Sequence, residues 1–102
     1  MILLGLGDDG HTASLFPWSN SLKAKDLYAT VGEGKGQARI TLTPEVLCAA
    51  SKVVFLVSGT SKQIALKRLL DPEESFERTP AKLVKTKCEI LILADEDAAK
   101  LI

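Results

Sequence analysis

Three apolar runs of strand length are spaced along the chain: Ile2-Leu3-Leu4, Lys52 to Val57 (KVVFLV) and Glu89 to Leu93 (EILIL). Each is nearly unbroken in apolar side chains, the pattern of a strand covered on both faces in a parallel sheet. After the second run, Ser58-Gly59-Thr60-Ser61 turns the chain and the period changes. Ala65, Leu66, Leu69 and Leu70 then share one helical face, which ends at Asp71-Pro72. Arg39 to Thr43 alternates polar and apolar residues and predicts a further strand, with another over Leu27 to Val31. Thr43-Pro44-Glu45 has the form of an N-cap followed by proline at the first helical position, leading into Val46, Leu47, Ala49 and Ala50.

The remaining segments are less periodic. His11 to Phe16 predicts a short helix closed by Pro17, Ser19 to Lys25 a polar surface connection, and GEGKGQ over 32–37 a glycine-rich loop. Leu83-Val84 predicts a short strand, and a terminal helix is expected from Asp95. Strands and helices thus alternate. That order predicts an α/β fold with a largely parallel sheet flanked by helices.

A chain of 102 residues is expected to form a single domain over 1–102, one that buries only about two-thirds of the surface its unfolded chain exposes. Thirteen basic side chains balance thirteen acidic ones, so nothing in the charge calls for nucleic acid or an anionic membrane. A small molecule or a protein is the expected partner. No apolar run approaches the ~20 residues that cross a bilayer, and no basic, apolar and small-residue series marks a signal peptide. A cytoplasmic location is expected by default. Cys48 and Cys88, forty positions apart among apolar neighbours, read as two reduced thiols, and without a second histidine no zinc constellation forms.

The chemistry concentrates in GLGDDGH. Gly5, Gly7 and Gly10 satisfy G-x-G-x-x-G after a predicted strand, which is the context of a dinucleotide-binding turn. Asp8 and Asp9 oppose that reading, because two carboxylates would confront a pyrophosphate with like charge. In the second reading the glycines provide geometry, while Asp9 and the chain's one histidine, His11, face the cleft at the carboxyl end of the strand. An imidazole held by a carboxylate can take a proton from water and return it to a leaving group. In a third, both residues merely cap a short helix. Spacing alone leaves these open.

The whole phrase GLGDDGHTASLFP closely resembles the signature of 6-phosphogluconolactonases. ARITLTPEVLCAASKVVFLVSGTSKQIAL is similar to the same family's arginine strand, following helix, apolar strand and small-residue turn with lysine. The resemblance implies a partial Rossmann-like domain of the sugar-phosphate isomerase/lactonase type. It implies hydrolysis of 6-phosphoglucono-1,5-lactone to 6-phosphogluconate in the oxidative pentose phosphate pathway, with neither metal nor organic cofactor. On this resemblance His11 is the catalytic base and acid and Asp9 orients it. Gly10, Thr12, Lys35, Arg39 and Lys62 surround the sugar-phosphate substrate, the three cations facing its oxyanion or phosphate.

Two departures accompany the resemblance. The segment before Arg39 is one residue shorter than in family members and glycine-rich rather than proline-rich. The chain is also less than half their length, which places the resemblance in a C-terminal portion only and leaves a homo-oligomer to complete the sheet. Two alternatives follow: an aminosugar-phosphate isomerase or deaminase of the same superfamily, and a catalytically incompetent half-domain that binds anions. The first is similar in carrying a glutamate just before the proline that follows the histidine, a place held here by Phe16.

Overall fold

A computed structural model describes residues 1–85 and 89–102. The three apolar runs become β1 (Ile2–Gly5), β4 (Lys52–Val57) and β5 (Glu89–Ala94), which form one parallel sheet in the order β1-β4-β5. Leu4 lies beside Phe55 and Phe55 beside Ile92 across this sheet. A second sheet is the antiparallel hairpin β2 (Ala29–Gly34) with β3 (Gln37–Leu42). Among the described residues two α-helices, α1 (Pro44–Cys48) and α2 (Gln63–Leu70), accompany the sheets, with short 3-10 turns between elements. The α/β class and the largely parallel sheet therefore hold.

The local signals explain most of this. Thr43 caps α1 by accepting the Val46 N–H, and Pro44 stands where a missing N–H costs nothing. In α2, Ala65 and Leu66 are fully buried. They close over the face of the parallel sheet that bears Val53, Phe55 and Val57. The opposite face is largely open: Leu3, Leu56, Leu91 and Leu93 are 59%, 51%, 37% and 50% exposed, and only Val54 at its centre is buried.

Four expectations change. His11 to Phe16 is a turn closed by a Thr12–Leu15 bridge, because the residues after the glycines pack inward instead of continuing in helical register. GEGKGQ is not a loop: its residues are paired strands, and only Lys35-Gly36 turns, at φ +55° and +74°. Two successive positive φ angles are what a two-residue hairpin turn of matching twist requires. Leu83 ends a 3-10 turn over Pro80–Leu83 rather than starting a strand. After β5 only isolated turns form, with the Asp95 carboxylate accepting N–H groups from Ala98 and from Gly59. Ser19 to Lys25 holds a 3-10 turn, Asn20–Lys23, that buries Ser21 and Leu22. Cys48 is half-buried, its thiol 3.0 Å from the Leu83 carbonyl oxygen; Cys88 lies outside the described residues. Among the described residues no helix is long and apolar enough to cross a membrane.

Phe55, 1% exposed in the central strand, gives the direct test of this core. Phe55→Ala is expected to cost about 3–5 kcal/mol in denaturant unfolding, as removal of a fully buried phenylalanine does. A loss below about 1 kcal/mol would contradict the central position of β4.

Candidate active site

The site is built on the turn that leaves β1. Asp9 Oδ1 accepts the backbone N–H of His11 at 3.0 Å and lies 2.5 Å from His11 Nδ1, so one carboxylate oxygen closes the turn and holds the ring. The turn is tightened further by Gly7 N–H donating to the His11 carbonyl at 2.8 Å and Gly10 N–H donating to the Gly7 carbonyl at 3.0 Å. Gly7 has no substitute here, since a Cβ at that position would overlap the His11 ring. Both partners are partly shielded, with side chains 21% and 31% exposed for His11 and Asp9. Burial alone would raise the Asp9 carboxyl. It is outweighed by the hydrogen bonds from the His11 backbone and ring and by the charges of His11 and Lys35, which hold Asp9 below its ordinary range.

The other predicted residues arrive from separate elements. Thr12 is buried and its Oγ1 donates to the Gly5 carbonyl at 2.7 Å, tying the exit of the turn back to the end of β1. The Gly10 carbonyl accepts the Ala81 N–H at 3.0 Å, and Thr79 packs against Gly10 from the same segment. Lys62, at the entry of α2, lines one cleft of about 380 Å³ with Gly7, His11 and Thr12. Lys35, at the hairpin tip, reaches the turn from the other side, its Nζ 3.4 Å from Asp8 Oδ1 and 3.9 Å from Asp9 Oδ2. Arg39 on β3 is exposed and places its guanidinium carbon 5.7 Å from the centroid of the Phe16 ring.

The structure thus gathers His11, Asp9, Gly10, Thr12 and Lys35 around the turn, adds Lys62 in the cleft, and connects Arg39 through Phe16. Sequence reasoning did not find the contact between Phe16 and His11, whose ring centroids are 4.6 Å apart, nor the seating of Gly10 by Thr79. The spacing Gly32-x-Gly34 was the available signal for the first, since two glycines on one strand face invite another group to approach. The second contact is non-local and leaves no mark near the motif.

Comparisons with known proteins identify the family. The family model for glucosamine-6-phosphate isomerases/6-phosphogluconolactonase matches residues 1–93. The chain is similar to the 6-phosphogluconolactonase of a Synechocystis strain, 46% identical over 98% of this chain and 42% of that protein. It is similar also to that of Homo sapiens, 37% identical over 100% of this chain and 41% of that one. The solved 6-phosphogluconolactonase of Trypanosoma brucei superposes with a TM-score of 0.84 at 29% identity, over 97% of this chain and 41% of the other. A monomeric glucosamine-6-phosphate deaminase, at 22% identity and a TM-score of 0.79, shares the fold. One expectation is corrected here. The resemblance is not a C-terminal portion only, because the family match runs through residues 1–93 and the rat and human relatives align along 100% of this chain. The chain spans about two-fifths of the length of the curated relatives it matches.

The depressed Asp9 carboxyl makes a prediction of definite sign. Between its folded value and the ordinary 3.8, the unfolded chain binds more protons than the folded one, so this contribution to stability rises with pH. It is fully present above 3.8 and lost as pH falls through the lower folded value. Asp9→Asn is therefore expected to be less stable than the parent chain near pH 6, with the gap narrowing as pH falls below 3.8. Denaturant midpoints measured across that range check it, and a gap independent of pH would contradict the pairing.

Proposed function

The chain belongs to the glucosamine-6-phosphate isomerase/6-phosphogluconolactonase family, and on that premise we propose that it is a 6-phosphogluconolactonase. It hydrolyses 6-phosphoglucono-1,5-lactone to 6-phosphogluconate in the oxidative pentose phosphate pathway. The observation that carries the reading is the 2.5 Å contact between Asp9 and His11 Nδ1 beside the cleft at the carboxyl end of β1. The carboxylate keeps the proton on Nδ1 and leaves Nε2 as the base. Nε2 takes a proton from water as the water oxygen bonds to the lactone carbonyl carbon. When the tetrahedral oxyanion collapses, the bond from that carbon to the ring oxygen breaks and the imidazolium returns its proton to the departing oxygen. No step calls on a cofactor.

The cations divide naturally between two anionic parts of the substrate. Lys62 shares the cleft with His11 and is assigned to the phosphate or the oxyanion. Lys35 and Arg39 approach from the hairpin, and Gly10 and Thr12 give the pocket its shape. The rival isomerase or deaminase chemistry needs an acid where Phe16 stands, and a buried phenyl ring, 3% exposed, offers no proton. A homo-oligomer in which a second copy completes the sheet at an edge strand, β1 or β5, goes with this reading, as does a cytoplasmic location.

The rate of 6-phosphogluconolactone hydrolysis by the purified chain, measured against spontaneous hydrolysis with the molar mass taken on the same sample by light scattering, tests the proposal. The parent chain is expected to accelerate hydrolysis. His11→Ala is expected to lower the rate by roughly 10²- to 10⁴-fold, the worth of a positioned base, while the fold persists by circular dichroism. A folded parent without catalysis, or turnover retained in His11→Ala, would overturn it.

A further inference from the structure

The hairpin presents two glycines, Gly32 and Gly34, on one face of β2, and that face rests on the histidine turn. A Cβ at Gly32 would overlap the Ser14 carbonyl oxygen, and one at Gly34 would overlap the Phe16 ring. The neighbouring strand holds the same segment, since Thr41 Oγ1 accepts the Ser14 N–H at 3.0 Å. Phe16 is consequently fixed, 3% exposed, with its ring centroid 4.6 Å from that of His11 and the two planes inclined by 38°.

A single contact from Asp9 to Nδ1 fixes one atom of the imidazole and leaves the ring free to pivot about it. Gly7 bounds the ring where its missing Cβ would lie, and Phe16 bounds it with an aromatic surface. We infer that Phe16, seated by Gly34, is a positioning residue that fixes the plane of the His11 ring, so that the hairpin sets the aim of Nε2. The inference rests on the proposed role of His11 as proton carrier. It adds a structural dependence: a side chain at position 34 acts on the reaction by pushing the phenyl ring into the imidazole, without touching substrate.

Because His11 is the chain's one histidine, its ring protons give an isolated pair of NMR signals, displaced by the ring current of the adjacent Phe16. Gly34→Ala is expected to move those signals and to lower kcat roughly 10- to 100-fold, as a misplaced reacting group does, with KM nearly unchanged. In a Phe16→Leu background the same Gly34→Ala change is expected to cost little more, because the ring it displaces is gone. Val31→Ala, on the other face of β2, is expected to change neither readout. Full additivity of the two substitutions, or a folded Gly34→Ala with parental signals and kcat, would overturn the inference. If Gly34→Ala does not fold, Phe16→Leu decides: His11 protons that lose their displacement support the contact, and unmoved protons refute it. A parent chain that hydrolyses nothing refutes the lactonase reading instead, and the spectra then decide the positioning of the imidazole on their own.

Discussion

A single carboxylate oxygen, Asp9 Oδ1, receives both the backbone N–H and the ring Nδ1 of His11. The rest of the site is arranged around that convergence. The two bonds can be made only if the chain reverses within a few residues of β1, and the reversal brings the imidazole to where a Cβ on Gly7 would stand. The end of β1 must in turn be fixed. The parallel pairing of β1 with β4 anchors the strand, and Thr12 ties the far side of the turn to the Gly5 carbonyl. A sheet that buries one face with Phe55 and its neighbours therefore does more than stabilise the chain. It supplies the rigid edge from which a short, glycine-rich turn can aim a side chain.

The turn is supported from three further directions, and the supports differ in kind. Packing carries the hairpin side, where Gly34 admits the Phe16 ring, and it carries the opposite side, where Thr79 meets Gly10. Lys35 contributes charge. Its distances to Asp8 and Asp9, 3.4 and 3.9 Å, and its exposure make it an ion pair worth at most about 1 kcal/mol. Its consequence is electrostatic: it sets a positive charge beside the two adjacent carboxylates of the turn.

Much of the fold was legible because local and global preferences agree. The apolar continuity of KVVFLV, the proline-bearing start of α1 and the i, i+4 face of α2 each specify one element whose tertiary surroundings demand the same thing. The hairpin was misread for the opposite reason. Gly32, Gly34 and Gly36 suggest a loop when composition is the only guide, whereas two of the three are strand residues stripped of side chains so that Ser14 and Phe16 can approach. Glycine selected by a distant contact cannot be distinguished, in one sequence, from glycine selected by a turn. The site divides in the same way. His11 and Asp9 were legible only through the resemblance carried by GLGDDGHTASLFP, since spacing alone left their roles open; that one carboxylate reaches both the backbone and the ring of His11 is a finding of the structure. Thr79 and Ala81 were not legible, since their contact with Gly10 spans some seventy positions.

The ambiguity of G-x-G-x-x-G is settled by where the N–H groups go. A glycine-rich phosphate cradle works because its backbone donors point outward and the following helix adds its dipole. Here the donors of Gly7, Gly10 and His11 are consumed inside the turn, by the His11 carbonyl, the Gly7 carbonyl and the Asp9 carboxylate. The residues that follow form a bridge-closed turn in place of a helix. The same three glycines that would open a loop to an anion serve instead to fold it inward upon a histidine. On the proposed lactonase reading, an anionic substrate is then held by side chains brought from elsewhere, and Lys62 from the entry of α2, which lines the cleft, is the cation placed for it.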